Sequence, residues 1–178
     1  ELRPQIVTLP PEIGAWSGLE ELILFSSKLT YLPHTLGQLP GFKKLQVYSS
    51  YMLHWYPYEL VHISSLHYTQ HSTRAVYGNY KNRAPFPDLE APEHQEYLRA
   101  ITPPTCSVCQ EPMDVEHAIR RWISLLVGRD VLPLLIHACS QACLDAVPDP
   151  PEGYLPGPHM GGAHIKQPDI HSRKFRPT

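Results

Sequence analysis

Four cysteines in two close pairs are the residues of this sequence best suited to chemistry. Cys106 and Cys109 are separated by two residues, and the second pair, Cys139 and Cys143, lies further along the chain. Close pairs of this kind indicate metal ligands in a reducing compartment, because the disulfide framework of a secreted protein more often scatters its cysteines. We therefore expect a metal site and a cytoplasmic location.

The segments between the cysteines predict how the two pairs come together. The first pair lies on a tight turn. Residues 121–127 and 131–137 are β-like runs joined by a turn that begins at Gly128, and they predict a β-hairpin.

The second pair is predicted to open a helix that ends before Pro148, with Ser140 or Cys139 as the N-cap. Because residues four apart share a helix face, Cys139 and Cys143 can point at one ion. A knuckle, a hairpin and a helix in this order resemble a treble-clef zinc finger. The resemblance implies a tetrahedral Zn²⁺ site with four ligands, which are Cys106, Cys109, Cys139 and Cys143.

This zinc ion is expected to be structural. A complete shell of four thiolates has no open position for water, so it does not suit catalysis. Zinc binding can supply on the order of 10 kcal/mol at neutral pH, which is enough to hold a lobe too small for its own core. Three alternatives stay open: a redox Cys-x-x-Cys, two incidental pairs of buried thiols, and replacement of one ligand by His137.

The N-terminal third of the chain contains an internal repeat, in which Leu9-Pro10 recurs as Leu32-Pro33. The further matches pair Ile13-Gly14, Trp16, Leu19, Leu22, Leu24 and Leu29 with Leu36-Gly37, Leu39, Phe42, Leu45, Val47 and Met52. A third copy begins one residue late and carries Pro57, Leu60, Ile63 and Leu66. This pattern resembles the leucine-rich-repeat family, in the 23-residue form of bacterial and intracellular signalling members.

The resemblance implies one short strand in each repeat, near residues 21–25 and 44–48, followed by a turn and a loose convex return. Alternate strand residues face one side, which places Leu22, Leu24, Leu45 and Val47 inward. A single repeat cannot hide its own apolar face, so about three are needed.

Two positions depart from the family pattern. Ser27 and Ser50 occupy the turn position where the family usually has Asn, and their hydroxyls can make a weaker version of the same hydrogen bonds. After Leu66 the pattern fails, because the next inward positions would be Thr69 and His71. We expect the array to stop there and another part of the chain to cover its open end.

The outward strand residues are expected to form the concave surface, which is the usual binding face of this architecture. These candidate partner-binding residues are Glu21, Ile23, Phe25, Lys44, Gln46 and Tyr48. Ile23, Phe25 and Tyr48 would form an exposed apolar and aromatic patch, unless flanking residues or an upstream repeat cover it.

The connector offers a second hypothesis. Residues 72–83 interleave cations with tyrosines, and such a segment can grip a phosphate backbone and stack on bases. The candidate nucleic-acid contacts are Arg74, Tyr77, Tyr80, Lys81 and Arg83. The alternative is a tyrosine-rich cap lying against the last repeat. Three prolines among acidic residues then predict an extended linker over residues 84–92, before a short helix near residues 92–100.

Together these features predict an α+β fold: a short leucine-rich-repeat solenoid of parallel strands with a loose convex side, followed by a small treble-clef-like zinc domain. The predicted parts are the end of a repeat array (1–66), a tyrosine- and proline-rich cap and linker (67–99), the zinc domain (100–148), and a partly flexible tail rich in Pro, Gly and His (149–178). The same order resembles a group of uncharacterised bacterial leucine-rich-repeat proteins that end in a Pro-His-x-Gly-Gly tail.

We therefore predict a protein-interaction module and not an enzyme, with nucleic-acid binding as the alternative. The sequence has no Gly-rich phosphate loop, nucleophile elbow or H-E-x-x-H helix. A treble clef also scaffolds His-Asn-His nucleases, but the hairpin carries no His in a matching motif. The net charge of −2 indicates no global field toward nucleic acid, and no run approaches the roughly 18 apolar residues that cross a membrane. The chain begins at Glu1 without a methionine, as expected of a fragment or a processed product.

Overall fold

In the computed structural model, which describes residues 7–78 and 85–165, the repeats form a three-stranded parallel sheet. In chain order the elements are a 3-10 turn at Pro11–Ala15, β1 (Glu21–Ile23), a 3-10 turn at His34–Gln38, β2 (Lys44–Gln46), β3 (Tyr56–Pro57), a 3-10 turn at Tyr58–His62 and β4 (Tyr68–Gln70). Strands β1, β2 and β4 lie side by side in this order, and the 3-10 turns stack in the same order. The chain therefore advances by one strand and one turn in each repeat.

The register of the sheet reproduces the period of the sequence. Glu21 pairs with Lys44 at a sequence separation of 23, and Gln46 pairs with Gln70 at a separation of 24. The extra residue falls between Ser50 and the buried Leu53. Met52 is consequently 54% exposed, because Leu53 takes the buried place. Trp16, a second side chain of the predicted pattern, is also outside the core at 57% exposed.

The sheet continues beyond the point at which the sequence pattern stops. Strand β4 follows Leu66, and Thr69 takes the inward place beside Leu45. The Thr69 side chain is buried and polar, and its Oγ1 lies 3.0 Å from both the Val127 carbonyl O and Asp130 Oδ2. The array therefore ends one strand later than expected, because a polar residue is tolerated inward where a second part of the chain supplies its hydrogen-bond partners.

The turns after β1 and β2 are held by a pair of buried serines. Ser27 Oγ and Ser50 Oγ lie 2.7 Å apart, and Ser50 Oγ donates to the Leu24 carbonyl at 3.2 Å. Ser26 and Ser49 just before them adopt a left-handed backbone, with φ of 53° and 63°. The serines thus link consecutive repeats by hydrogen bonds between their side chains and to the turn backbone.

A glycine in each of the first two 3-10 turns allows consecutive repeats to approach closely. A Cβ on Gly14 would lie 2.5 Å from the Thr35 carbonyl O, and a Cβ on Gly37 would lie 2.5 Å from Glu59 Cβ and 2.7 Å from its carbonyl O. Neither glycine has a positive φ, so the constraint is space and not backbone conformation. The Ile-Gly and Leu-Gly pairs of the repeat are therefore packing positions.

Substitution of Gly37 by alanine should lower stability by about 2 kcal/mol, because the added methyl group meets backbone that cannot move without separating two repeats. For a chain of this size that is a fall in melting temperature of roughly 4–8 °C, measurable by calorimetry. Gly41→Ala is the matched control, since nothing lies within 4 Å of a Cβ there. Equal melting temperatures for the two variants would refute the close-approach argument.

A long β-hairpin packs directly on the last repeat. The remaining elements are α1 (Pro92–Ile101), a 3-10 turn at Val115–His117, β5 (Ile119–Val127), β6 (Asp130–Ala138) and α2 (Gln141–Asp145). Strand β6 pairs antiparallel with β5 and parallel with β3, where Tyr56 lies beside Leu134. Buried residues of the repeats and of the hairpin form one continuous core, so the repeats and the hairpin do not have separate cores.

The tip of this hairpin covers the outer edge of β4. Gly128, with φ of +60°, brings the backbone so close that a Cβ there would lie 3.2 Å from Thr69 N. Arg129 Nε donates to the Thr69 carbonyl at 3.1 Å, and the Arg129 guanidinium lies 3.8 Å from the centre of the Tyr68 ring. The expectation that another part of the chain covers the open end is confirmed by this contact.

The described part of the connector packs against the rest of the chain. Phe86 and Leu89 are buried, and the Pro87 carbonyl accepts a hydrogen bond from Trp122 Nε1 at 2.9 Å. An extended linker was predicted over residues 84–92, of which 85–92 are described, and its packing against an aromatic cluster is a contact that proline content alone does not reveal. Among the described residues, no helix has the length and apolar character needed to cross a membrane.

The tail is likewise ordered at the Pro-His-x-Gly-Gly motif. His159 exchanges two backbone hydrogen bonds with Trp122, at 2.8 and 2.9 Å, and its ring lies 4.7 Å from the ring of Phe86. Gly161 has φ of +81°, and a Cβ there would overlap the Pro87 carbonyl. Residues 158–162 of the predicted tail therefore bridge to β5. Residues 166–178 lie outside the described part.

Candidate functional sites

The first cysteine pair lies on a tight turn closed by backbone hydrogen bonds. Cys106 N donates to the Glu111 carbonyl at 2.8 Å, and Gln110 N donates to the Cys106 carbonyl at 3.0 Å. Gln110 has φ of 64°, a left-handed conformation that turns the chain back immediately after Cys109. The turn therefore presents the Cys106 and Cys109 thiols on the same side, as the sequence predicts.

The second pair lies at the end of β6 and in α2. Ser140 caps α2, because its Oγ accepts from the Cys143 backbone N at 3.3 Å. The helix ends at Asp145, slightly earlier than predicted, but the cap still fixes the turn on which Cys139 and Cys143 stand four residues apart.

The four thiols converge on one point. Their Sγ atoms all lie within 4.8 Å of one another, with 3.7 Å between Cys109 and Cys139 and 3.6 Å between Cys139 and Cys143. A tetrahedral zinc ion with Zn–S bonds of about 2.3 Å places its sulfurs about 3.8 Å apart. The donor set and the spacing fit such an ion, and the predicted convergence of the four cysteines is confirmed.

Backbone amides favour the thiolate form of Cys106. Burial of this thiol opposes its ionisation, but hydrogen bonds from the amides of Cys109, Cys139 and Val108 outweigh the burial and lower the pKa of Cys106 to about 7. The amide N atoms of Val108 and Cys139 each lie 3.4 Å from Cys106 Sγ. A thiol prepared in this way binds a metal cation more readily, because the thiolate is the ligand.

His137 does not take part in this cluster. Among the described residues that could hold a metal, the cysteine group contains no histidine. The His137 side chain is buried and lines a cavity together with Glu59 and His34, and burial lowers its pKa to about 3. The alternative in which His137 replaces a cysteine therefore has no support in the geometry.

Ser107, inside the knuckle, ties the cysteine turn to the last repeat. Its hydroxyl donates to Glu59 Oε1 at 2.6 Å and accepts from the His137 backbone N at 3.0 Å. Its own backbone N donates to the His137 carbonyl at 2.7 Å, and its carbonyl accepts from His62 Nε2 at 2.7 Å. Sequence reasoning missed this residue, since a serine between two cysteines gives no signal of its partners.

The face of the sheet that is predicted to bind a partner carries the expected side chains, which are exposed or partly exposed. Phe25 and Ile23 are each 37% exposed, and Tyr48 is 50% exposed. Glu21 and Lys44 form an ion pair of 3.2 Å across the strands, and Gln46 Nε2 donates to Gln70 Oε1 at 2.7 Å.

The structure extends this face beyond the predicted set. Strand β4 adds Tyr68 and Gln70, and the hairpin tip adds Arg129, whose guanidinium also donates to the Tyr68 hydroxyl at 2.9 Å. Lys44 Nζ lies 5.6 Å from the centre of the Tyr68 ring. Sequence periodicity could not assign these residues, because β4 lacks the leucines of a regular repeat and Arg129 comes from a segment 60 residues further on.

The candidate nucleic-acid contacts do not form a single surface in the described residues. Arg74 is exposed, but the ring of Tyr77 packs against His54, Phe86 and Trp122, with ring centres 5.2–5.8 Å apart. This packing agrees with the alternative of a tyrosine-rich cap. Tyr80, Lys81 and Arg83 lie outside the described residues.

Comparison with family models, with curated proteins and with solved structures finds no match to this chain. The function is therefore inferred from the sites themselves.

Proposed function

We propose that this protein is a leucine-rich-repeat protein whose last repeat is capped by a treble-clef-like zinc lobe, and that its concave face binds a protein or peptide partner. The carrying observation is the exposure of three large apolar side chains at the ends of paired parallel strands: Ile23 is the last residue of β1, and Phe25 and Tyr48 lie in the turns that follow β1 and β2. Large apolar side chains exposed together are typical of interaction sites, and aromatic residues supply much of the binding energy at such sites.

The surroundings of the patch support this proposal. One end of the face carries the cations Lys44 and Arg129 on either side of Tyr68, so polar contacts are available beside apolar ones. A central apolar cluster with a polar border is the usual anatomy of a protein–protein interface. Backbone pairing holds the strands in place, so the side chains are presented on a rigid surface.

The zinc lobe has a structural role in this proposal. Four thiolates complete a tetrahedral shell and leave no coordination position for substrate or water. The knuckle instead reaches the repeats through Ser107 and Glu59, and the hairpin covers β4. The ion would hold together the lobe that closes the array and so maintain the shape of the binding face.

Disruption of the apolar patch should weaken partner binding. We expect Ile23→Asp and Tyr48→Ala each to reduce affinity by roughly 30-fold, the effect of losing about 2 kcal/mol at an interface centre. Affinity purification from the source cells with quantitative mass spectrometry would identify the partners, and titration of each purified partner would give the affinities.

Trp16→Ala is the matched control, because Trp16 is an aromatic residue of similar exposure, 57% against 50% for Tyr48, and is not part of the predicted face. Partners bound by the proposed face should be retained by this variant. Unchanged affinity of every partner for the Ile23→Asp and Tyr48→Ala variants would overturn the assignment of the concave face.

A further inference from the structure

A separate cavity lies on the other side of the repeats, between the proline-containing turns, α1 and β6. It has a volume of about 110 Å³, several times the roughly 10–15 Å³ that one water molecule requires on this measure. The aromatic residues Tyr31 and Trp55 form one part of its wall, and the last turn of α1, with Ile101, forms another. This site shares no residue with the concave face or with the four cysteines.

Two buried polar atoms belong to residues that line this cavity. Glu59 Oε1 accepts from Ser107, but Glu59 Oε2 has no hydrogen-bond partner among the described residues. His137 Nε2 is also without one, in a side chain whose residue is only 4% exposed. Buried groups of this kind are nearly always paired in folded proteins, so an unpaired carboxylate oxygen beside a cavity indicates that something else supplies a donor.

The wall favours a positively charged donor. It contains one carboxylate and no lysine or arginine among the described residues. Arg120 approaches the same end of α1 by donating to Thr102 Oγ1 at 2.9 Å, but it is not part of the lining. The C-terminus of a helix carries partial negative charge, and the faces of tyrosine and tryptophan attract cations. Tyr31 and Trp55 stack with ring centres 6.5 Å apart and ring planes 7° apart.

We propose that this cavity is a binding site for a small organic ammonium ion, held by the Glu59 carboxylate with the rings of Tyr31 and Trp55 against its alkyl part. The ammonium group supplies the donor that Glu59 Oε2 lacks, and the unpaired His137 Nε2 is a second acceptor among the lining residues when its ring carries the proton on Nδ1. A bound ion would contact both the repeats and β6. Its binding would therefore affect the junction between the repeats and the hairpin.

The test uses methylammonium as the probe, titrated into the full zinc-loaded chain at constant ionic strength and followed by ¹H–¹⁵N NMR at the Trp55 indole N–H. We expect a saturable shift of this signal, and at least tenfold weaker binding of methanol, which has a similar size and no charge. Glu59→Gln should weaken methylammonium binding at least tenfold. Ala100→Phe, placed in the lining from α1 and away from Ser107, should abolish binding by filling the cavity.

Zinc content and melting temperature establish that each variant is folded. If Glu59→Gln does not fold, Ala100→Phe is the variant that tests the proposal. The absence of a saturable shift would mean that the cavity holds ordered water only and would overturn the proposal. Equal affinity for methanol and methylammonium would overturn the charge argument. Unchanged binding in a folded Glu59→Gln or Ala100→Phe protein would show that the probe binds elsewhere.

Discussion

Removal of the metal should unfold the hairpin lobe and, with it, the last repeat. Chelation at neutral pH, or a Cys106→Ser substitution, is expected to abolish the cooperative thermal transition of the native protein. The expected loss is on the order of 10 kcal/mol, the apparent binding energy of zinc in a four-ligand structural site. A protein of this kind has a total stability of only about 5–15 kcal/mol, so little or none would remain.

The effect should reach the repeats because the two parts share a core. Leu45 and Val47 of the sheet belong to the same buried cluster as Ile123 and Leu134 of the hairpin. Loss of the hairpin would also leave the buried Thr69 without its partners. The structure thus predicts one transition for both parts rather than survival of an intact array.

Elemental analysis should find one zinc ion per chain, and near-ultraviolet circular dichroism should report the loss of packing on chelation. Re-addition of Zn²⁺ should restore the signal, whereas Mg²⁺, which prefers oxygen ligands, should not. Metal-free protein with an unchanged spectrum and melting temperature would contradict a structural zinc site.

The second large effect is expected for Ser107→Ala, which should destabilise the protein by about 3 kcal/mol. The substitution leaves the Glu59 carboxylate without its hydrogen-bond donor and the His137 backbone N without its acceptor, and buried groups that lose their partners are costly. Calorimetry on the zinc-loaded protein would measure the loss. Ser64→Ala is the matched control, because Ser64 is exposed. A loss below about 1 kcal/mol would show that Ser107 does not hold the two parts together.

The burial of Glu59 should make stability depend on pH. Burial raises the pKa of Glu59, and the hydrogen bond from Ser107 only partly opposes this. A carboxyl group whose pKa is higher in the folded chain than in the unfolded chain stabilises the fold most at a pH below its unfolded pKa. This stabilisation is lost as the pH rises through the folded pKa. The measurement is the difference in the free energy of unfolding between the wild type and Glu59→Gln, because subtracting the two cancels the acid lability of the zinc site. This difference should fall with rising pH. The fall should be steeper when both proteins also carry Ser107→Ala.

Much of the local structure was predictable because it depends on short-range periodicity. The repeat spacing fixes which leucines face inward, and β1 and β2 pair in the expected register. The hairpin and α1 were also expected, because each is a run of residues that favour one kind of secondary structure and ends at a recognisable turn or boundary. Met52 and Leu53 show the limit of this reasoning: a single extra residue shifts the buried side chain, and periodicity cannot locate the insertion.

The sequence by itself determined that the four thiols belong to one site and that the regularly spaced strands form a sheet, because both follow from residue type and local spacing. Only the tertiary structure decided that Thr69 is an inward residue, that Ser107 links the knuckle to Glu59, and that Tyr68 and Arg129 meet beside the predicted binding face. These contacts join residues 48–61 positions apart. Their energies depend on which buried polar groups meet after folding, which the order of residues along the chain does not specify.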